Sequence, residues 1–179
     1  MISARTIRAI TTGVLIALVL LTRQYATKQK SAQQESPTPT VADTIVPNGL
    51  VLITKVVDGD TVEIAGGERV RLIGIDTPET VDPRKPVQCF GIQASDYAKS
   101  LLTGVAVKLE KDVEDKDKYN RLLRYIYLAD GTFVNLKLVA EGYASAYPYP
   151  PNIAHATEFK TAQANARMAG LGLWSACNK

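Results

Sequence analysis

The sequence contains only one histidine and two cysteines among its 179 residues. The single histidine, His155, excludes any mechanism that requires two imidazole groups. Net charge is also lacking beyond the N-terminal part: residues 1–48 hold five Lys or Arg and two Asp or Glu, whereas residues 49–179 hold sixteen of each sign. No overall basic field is available to attract polyanions, so any such binding must come from the local placement of charged side chains.

The N-terminal apolar run is short. It covers residues 9–22 and has fourteen residues, fewer than the roughly 20 that span a bilayer comfortably. Arg5 and Arg8 precede it and Arg23 closes it, which is the layout of an export signal or signal anchor. No small-x-small cleavage site follows. Residues 1–22 are therefore predicted to be a signal anchor in preference to a cleaved signal peptide, and the protein to be extracytoplasmic, either membrane-anchored or secreted.

Residues 23–48 are rich in Gln, Ser, Thr and Pro, a composition that predicts a flexible linker. No internal repeat is found there or later in the chain. Residues 49–179 have the length and apolar content of one globular domain.

Within this domain the sequence predicts five strands and about three helices. Strands are expected at residues 50–57, 61–64, 69–76, 105–110 and 122–128, where β-branched residues end at turn sequences such as Asp58-Gly59. Helices are expected at residues 92–102, 134–141 and 154–169, each followed by a glycine. Five short strands with a helix after the third predict the α+β class, with a five-stranded Greek-key barrel of the oligonucleotide-binding (OB-fold) type.

Two carboxylates at the ends of neighbouring strands predict a cation site. Asp60 opens the second strand and Asp76 ends the third, so a hairpin between these strands brings both to the same end of the sheet. A cation between them would relieve their repulsion, and carboxylate oxygens favour calcium or magnesium over zinc. Each segment taken alone is also a common turn or helix-capping sequence.

Arginines from two distant segments predict a phosphate site beside these carboxylates. Arg71 lies in the third strand, where the period of two places it on one face with Ile73 and Ile75. Arg121 leads into the fifth strand and could meet Arg71 across a bound phosphate. Arg69, at the hairpin turn, is expected to be a surface residue.

Together these residues resemble the signature of the thermonuclease family, also called staphylococcal-nuclease-like. The matching segments are Asp60-Thr-Val, Arg71-x4-Asp76-Thr-Pro-Glu79 and Asp117-Lys-Tyr-x-Arg121. The resemblance runs from about residue 50 to residue 174. It implies a calcium-dependent endonuclease that hydrolyses phosphodiester bonds of DNA and RNA with little sequence preference and leaves 3′-phosphate ends.

The resemblance also implies a role for each site residue. The implied calcium ligands are Asp60, Asp76 and the backbone carbonyl of Thr77. Arg71 and Arg121 would hold the scissile phosphate, whose developing negative charge a divalent cation and two guanidinium groups stabilise. Glu79 would orient or deprotonate the attacking water, or else belong to the outer shell of the metal. The positions that match the nucleotide pocket of the family are Lys118, Tyr119, Tyr147 and Tyr149.

Several alternatives stay open at this level. Tyr147 and Tyr149 could stack on nucleobases or pack in the core. The protein could also be a catalytically inactive OB-fold module that binds nucleic acid, although all the signature residues are present. The acidic loop at residues 113–118 is expected to be solvated. We expect a monomer whose partners are DNA, RNA and, through residues 1–22, a membrane.

The two cysteines predict a disulfide. An even cysteine count in an exported protein favours pairing of Cys89 with Cys177, which would join the start of the first helix to the C-terminal tail. Two buried free thiols are the alternative. His155 is expected to be a surface or helix-capping residue.

Overall fold

The structure is a computed structural model that describes residues 45–46 and 49–177. The predicted export segment and most of the predicted linker lie outside these residues. Within the predicted linker, strand β1 (Ile45–Val46) pairs antiparallel with strand β2 (Leu50–Asp58). Across the described ranges, the helices lack the combination of length and apolar character that crossing a membrane requires.

Five strands close into a barrel. Besides β2 they are β3 (Thr61–Ile64), β4 (Arg69–Leu72), β6 (Ala106–Glu110) and β7 (Leu122–Leu128). The order around the barrel is β2-β3-β4-β7-β6, and β6 returns to pair with β2. The β4–β7 pair is parallel and the other four are antiparallel. The predicted five-stranded α+β barrel is confirmed. A separate two-stranded sheet is formed by β5 (Ile75–Asp76) and β8 (Ser145–Ala146).

The three predicted helices are present, and the structure adds a fourth. They are α1 (Gly91–Leu102), α2 (Val134–Ala140), α3 (Ala156–Met168) and the short α4 (Leu173–Ala176). Helix α3 begins two residues later than predicted because His155 occupies its N-cap position. Phe159 of α3 is fully buried, and its ring packs against Phe133, 5.6 Å away between centroids. This contact fixes α3 against the rest of the core.

The predicted third strand is broken at Gly74, which separates β4 from β5. The backbone φ of Gly74 is +77°, in the left-handed region that side chains other than glycine rarely adopt. The turn interrupts the period of two, so Ile73 and Ile75 are buried while Arg71 stays partly exposed. The expectation that these three residues share one face is therefore wrong.

The Gly74→Ala variant is expected to lower the free energy of unfolding by about 2 to 4 kcal/mol. The positive φ contributes about 1 kcal/mol, and a Cβ at this position would overlap the buried Phe159 ring, which adds about 1 to 3 kcal/mol of overpacking. Urea denaturation measures the change.

Gly67→Ala is the matched control, because Gly67 also has a positive φ, of +82°, but a Cβ added there would meet no atom of the described residues within 4 Å. Gly67→Ala should lower the free energy of unfolding only by the conformational contribution of the positive φ, about 1 kcal/mol. Equal losses in the two variants would contradict the proposed overlap with Phe159.

Candidate active site

Two strand pairings bring the predicted catalytic residues together. β3 pairs with β4 so that Thr61 lies opposite Arg71, and β4 pairs with β7 so that Arg71 lies opposite Leu123. Arg121 immediately precedes β7. All the predicted catalytic and metal residues line one cavity of about 400 Å³, here named the active-site cavity. They are Asp60, Arg71, Asp76, Thr77, Glu79 and Arg121.

Arg71 lies between the two carboxylates that the sequence predicts to converge. Its Nη1 atom is 3.1 Å from Oδ2 of Asp60, and its Nη2 atom is 3.0 Å from Oδ1 of Asp76. Nη1 also donates hydrogen bonds to the carbonyls of Leu72 and Ile75, at 3.1 and 3.0 Å. The convergence of Asp60 and Asp76 is confirmed, and these contacts fix the plane of the guanidinium group.

Asp60 is buried and held by neighbouring threonines. Its Oδ2 atom accepts hydrogen bonds from the backbone N–H and the hydroxyl of Thr77, at 2.9 and 3.0 Å. Its Oδ1 atom accepts one from the hydroxyl of Thr61 at 3.1 Å. Thr77 therefore orients Asp60 through its amide and side chain, and the contact of its carbonyl with a metal stays a prediction.

The donor chemistry of the cavity fits a hard divalent cation. Desolvation of the half-exposed Asp76 side chain and the nearby Asp60 carboxylate raise the pKa of Asp76, against the opposing effect of Arg71. Burial likewise raises the pKa of Asp58, a carboxylate in the same cavity that the sequence did not single out. Carboxylate oxygens whose charge is costly to desolvate are donors that calcium or magnesium prefers. Among residues 45–46 and 49–177, no three acidic, His or Cys side chains are grouped as a ready-made metal site.

Glu79 is held at the edge of the cavity by the loop that follows it. Its Oε1 atom accepts hydrogen bonds from the backbone N–H groups of Val81 and Asp82, at 2.8 and 3.1 Å. These bonds, the Val81 bond first, lower the pKa of Glu79 below its usual range. Its own N–H donates to the side-chain oxygen of Gln88 at 2.9 Å. Glu79 is therefore an oriented, ionised carboxylate at neutral pH, and its role as base or outer-shell ligand stays a prediction.

Arg121 is fixed by an acidic residue of the loop before it. Its Nη2 and Nε atoms lie 2.6 and 2.7 Å from Oδ2 of Asp117. Asp117 also accepts backbone hydrogen bonds from Tyr119 and Arg121. Asp115 of the same loop pairs with Arg124 at 2.7 Å. Asp117 departs from the expectation of a solvated acidic loop, because it is half-buried and holds Arg121, whereas Asp115 is exposed as expected.

The residues predicted to contact the nucleotide surround a second cavity of about 570 Å³, the tyrosine cavity. Its lining includes Arg71, Arg121, Lys118, Tyr119, Tyr147 and Tyr149. The three tyrosines are 68%, 55% and 66% exposed, which excludes core packing for Tyr147 and Tyr149. Lys118 Nζ lies 5.0 Å from the centroid of the Tyr119 ring. Contact of these residues with a substrate stays a prediction.

Residues that the sequence did not assign to the site also line the active-site cavity, among them Asp58, Arg69, Lys85 and Gln88. For Arg69 the available indication was its position two residues before Arg71 on the same strand. His155 lies elsewhere, with its ring packed edge-on against Tyr125 and Phe133, at centroid distances of 4.6 and 4.8 Å. It is thus an aromatic packing partner at an N-cap position, without a side-chain capping bond.

The predicted disulfide between Cys89 and Cys177 is present, with Cα atoms 5.9 Å apart. It connects the segment before α1 with the end of α4. Cys89 follows Gln88, whose N–H donates to the Glu79 carbonyl at 3.0 Å while its side chain accepts from the Glu79 N–H. The disulfide therefore anchors the segment that positions Glu79.

Comparison with known proteins extends these observations. A family model described as "Staphylococcal nuclease homologue" matches residues 69–176. The thermonuclease of Staphylococcus intermedius is 44% identical over 173 residues, covering 93% of this chain and 98% of that protein. The thermonuclease of Staphylococcus hyicus is 36% identical over 174 residues, covering 94% and 99%. The SPbeta prophage-derived endonuclease YokF of Bacillus subtilis is 40% identical over 130 residues, covering 70% and 44%.

Proposed function

Because the chain belongs to the staphylococcal nuclease family and is a hydrolase of phosphodiester bonds, we propose that it is a calcium-dependent endonuclease acting on DNA and RNA. Cleavage has little sequence preference and leaves 3′-phosphate ends. The observation that carries this proposal is the convergence of Asp60, Asp76, Arg71 and Arg121 on one cavity. The lining of this cavity is mostly charged or polar, which suits a site that recognises the phosphate backbone in preference to a particular base.

Arg71 and Arg121 hold the scissile phosphate in this proposal. Both guanidinium groups line the active-site cavity and the tyrosine cavity, and both are held by aspartates. Fixed donors stabilise the negative charge that develops on the phosphate oxygens without reorganising during the reaction. Asp117 thus keeps Arg121 in position, and the carbonyls of Leu72 and Ile75 orient Arg71 when Asp60 and Asp76 hold the ion.

Asp60, Asp76 and the carbonyl of Thr77 would hold calcium. When bound, the ion supplies positive charge next to the reacting phosphate. Glu79 orients the attacking water. It is ionised at neutral pH and can accept the proton, but its lowered pKa makes it a weaker base than an unperturbed carboxylate. The hydrogen bonds from Val81 and Asp82 hold this carboxylate toward the cavity.

The exposed tyrosines are suited to bind a nucleic acid of any base sequence. Tyr147, Tyr149 and Tyr119 offer ring faces around one cavity, and every base has a π-face that can stack on such rings. A base must leave its duplex partner to stack in this way. We therefore expect denatured DNA and RNA to be better substrates than duplex DNA.

Removal of calcium is expected to lower cleavage of denatured DNA and of RNA by at least about a hundredfold, because the cation is a major source of charge stabilisation. Gel assays with calcium, with magnesium and with excess chelator measure this. Full activity in chelator would contradict the metal requirement. If the folded protein cleaved nothing under any condition, the proposal of an active enzyme would be wrong, and the alternative of an inactive binding module would be favoured.

A matched pair of variants locates the calcium site. Asp76→Asn should raise the calcium concentration for half-maximal activity about tenfold or more, because it removes one charged ligand. Asp130→Asn is the control, since Asp130 accepts a backbone hydrogen bond from Thr132 in a surface turn away from the cavities. Equal calcium requirements in the two variants would exclude Asp76 as a ligand.

A further inference from the structure

A third cavity, of about 490 Å³, adjoins the candidate active site at the β3–β4 turn and is here named the hairpin cavity. Its lining consists of Gly67, Glu68, Arg69, Tyr119, Asn120 and Arg121. Arg69 and Arg121 also line the active-site cavity, and Tyr119 also lines the tyrosine cavity. The hairpin cavity therefore shares walls with both parts of the proposed site.

The uncompensated charge of the hairpin cavity is positive and comes from Arg69. Glu68 is paired with Lys116 at 3.3 Å, and Arg121 is paired with Asp117. Arg69 makes no ion pair with any of the residues that the structure describes, although Glu63 is its cross-strand neighbour. A free guanidinium group in a polar cavity is suited to bind an anion.

The spacing of Arg69 and Arg71 fits neighbouring phosphates of one strand. The two arginines lie on the same face of β4, because Val70 and Leu72 between and after them point into the core. Two residues along a strand span roughly 6.6 Å, a length comparable with one nucleotide step. When Arg71 holds the scissile phosphate, Arg69 is placed to meet the adjacent one.

Tyr119 provides a surface for the nucleotide between these phosphates. Tyr119 is 68% exposed and lines both the hairpin cavity and the tyrosine cavity. The guanidinium carbon of Arg121 lies 5.4 Å from the ring centroid, so the ring is held against the phosphate-binding arginine. A base entering the hairpin cavity can stack on this ring.

We propose that the hairpin cavity is a subsite for the internucleotide phosphate next to the scissile one, with Arg69 as its ligand. This inference rests on the proposed nuclease function and adds a second phosphate position to it. The ligand is a phosphodiester of the same bound strand. The enzyme is consequently built to prefer chains of several nucleotides over a substrate with a single phosphodiester.

Arg69→Gln tests the subsite through substrate length. The measured quantity is the ratio of kcat/KM for a decathymidylate to kcat/KM for the dinucleotide thymidylyl-thymidine, which has one phosphodiester. We expect this ratio to fall about five- to tenfold in the variant. The slope of log(kcat/KM) against log salt for the decamer should also become shallower by roughly 0.7, the value for one phosphate contact on a single strand.

Lys160→Gln is the matched control. Lys160 is an exposed residue of α3 that lines none of the three cavities, so its loss removes the same formal charge from another surface. It should leave the length ratio and the salt slope as in the wild type. Equal effects of both variants would mean that Arg69 acts only through its general positive charge, which would overturn the subsite.

The outcomes separate this inference from the proposed function. A wild-type protein that cleaves neither substrate contradicts the nuclease proposal itself. A wild-type protein that cleaves the decamer, with an Arg69→Gln variant that keeps the wild-type length ratio, contradicts the subsite alone. Parallel losses on decamer and dinucleotide would place Arg69 at the scissile phosphate and would also overturn the subsite.

Discussion

Replacing Arg121 with alanine is expected to lower kcat for cleavage of denatured DNA about a thousandfold while the protein stays folded. The guanidinium group lines both cavities of the proposed site, and loss of one fixed charge-stabilising group costs about 10² to 10³ in turnover. The local loop should persist, because Asp117 keeps its hydrogen bonds from the backbone N–H groups of Tyr119 and residue 121. Steady-state kinetics and circular dichroism measure the two quantities.

Two further variants sharpen this test. Arg124→Ala removes the other arginine that is paired with the acidic loop, at Asp115, but Arg124 lines neither cavity; it should keep activity within a few-fold of the wild type. Arg121→Lys keeps the charge but loses the planar fork, and should fall between the wild type and the alanine variant. Near-normal turnover in Arg121→Ala would remove this residue from the proposed phosphate clamp.

Reduction of the Cys89–Cys177 disulfide is expected to lower the free energy of unfolding by about 4 to 5 kcal/mol. The bond closes a loop with a sequence separation of 88 residues, and the loop-entropy argument gives a stabilisation of about this size for such a length. Urea denaturation with and without dithiothreitol measures the shift.

The double variant Cys89→Ser with Cys177→Ser provides the control for reduction. It should unfold at the lower urea concentration of the reduced wild type, and reductant should have no effect on it. A wild-type midpoint that does not respond to reductant, with the bond shown to be broken, would mean that native contacts of α4 hold the C-terminal segment without the covalent link.

The convergence of Asp60 with Asp76 was predicted from two strands and their connecting turn. The structure reaches it by another route, because Asp76 lies in β5, beyond the break at Gly74, and Arg71 contacts both carboxylates. The disulfide was predicted from an even cysteine count in a chain that is expected to be exported. The barrel likewise followed from the number and order of short strands.

Features that depend on three-dimensional packing were not predictable in the same way. The break at Gly74 occurs where the chain passes the buried Phe159 ring. No local sequence pattern predicts that contact. The ion pair of Arg71 with Asp76 depends on the direction of the chain after this break. Arg69 is exposed, as expected, but the cavity beside it was not predicted, because the distant residue Tyr119 completes it.

The parallel pairing of β4 with β7 also determines when the candidate active site can form during folding. Val70 lies opposite Leu122, 52 positions later in the chain. Pairings of such long range form slowly, because the intervening chain must lose its freedom before the contact stabilises it. During synthesis the two clamp arginines therefore sit on separate segments that have not yet met. The proposed phosphate clamp therefore cannot form until β7 has been made and has paired with β4.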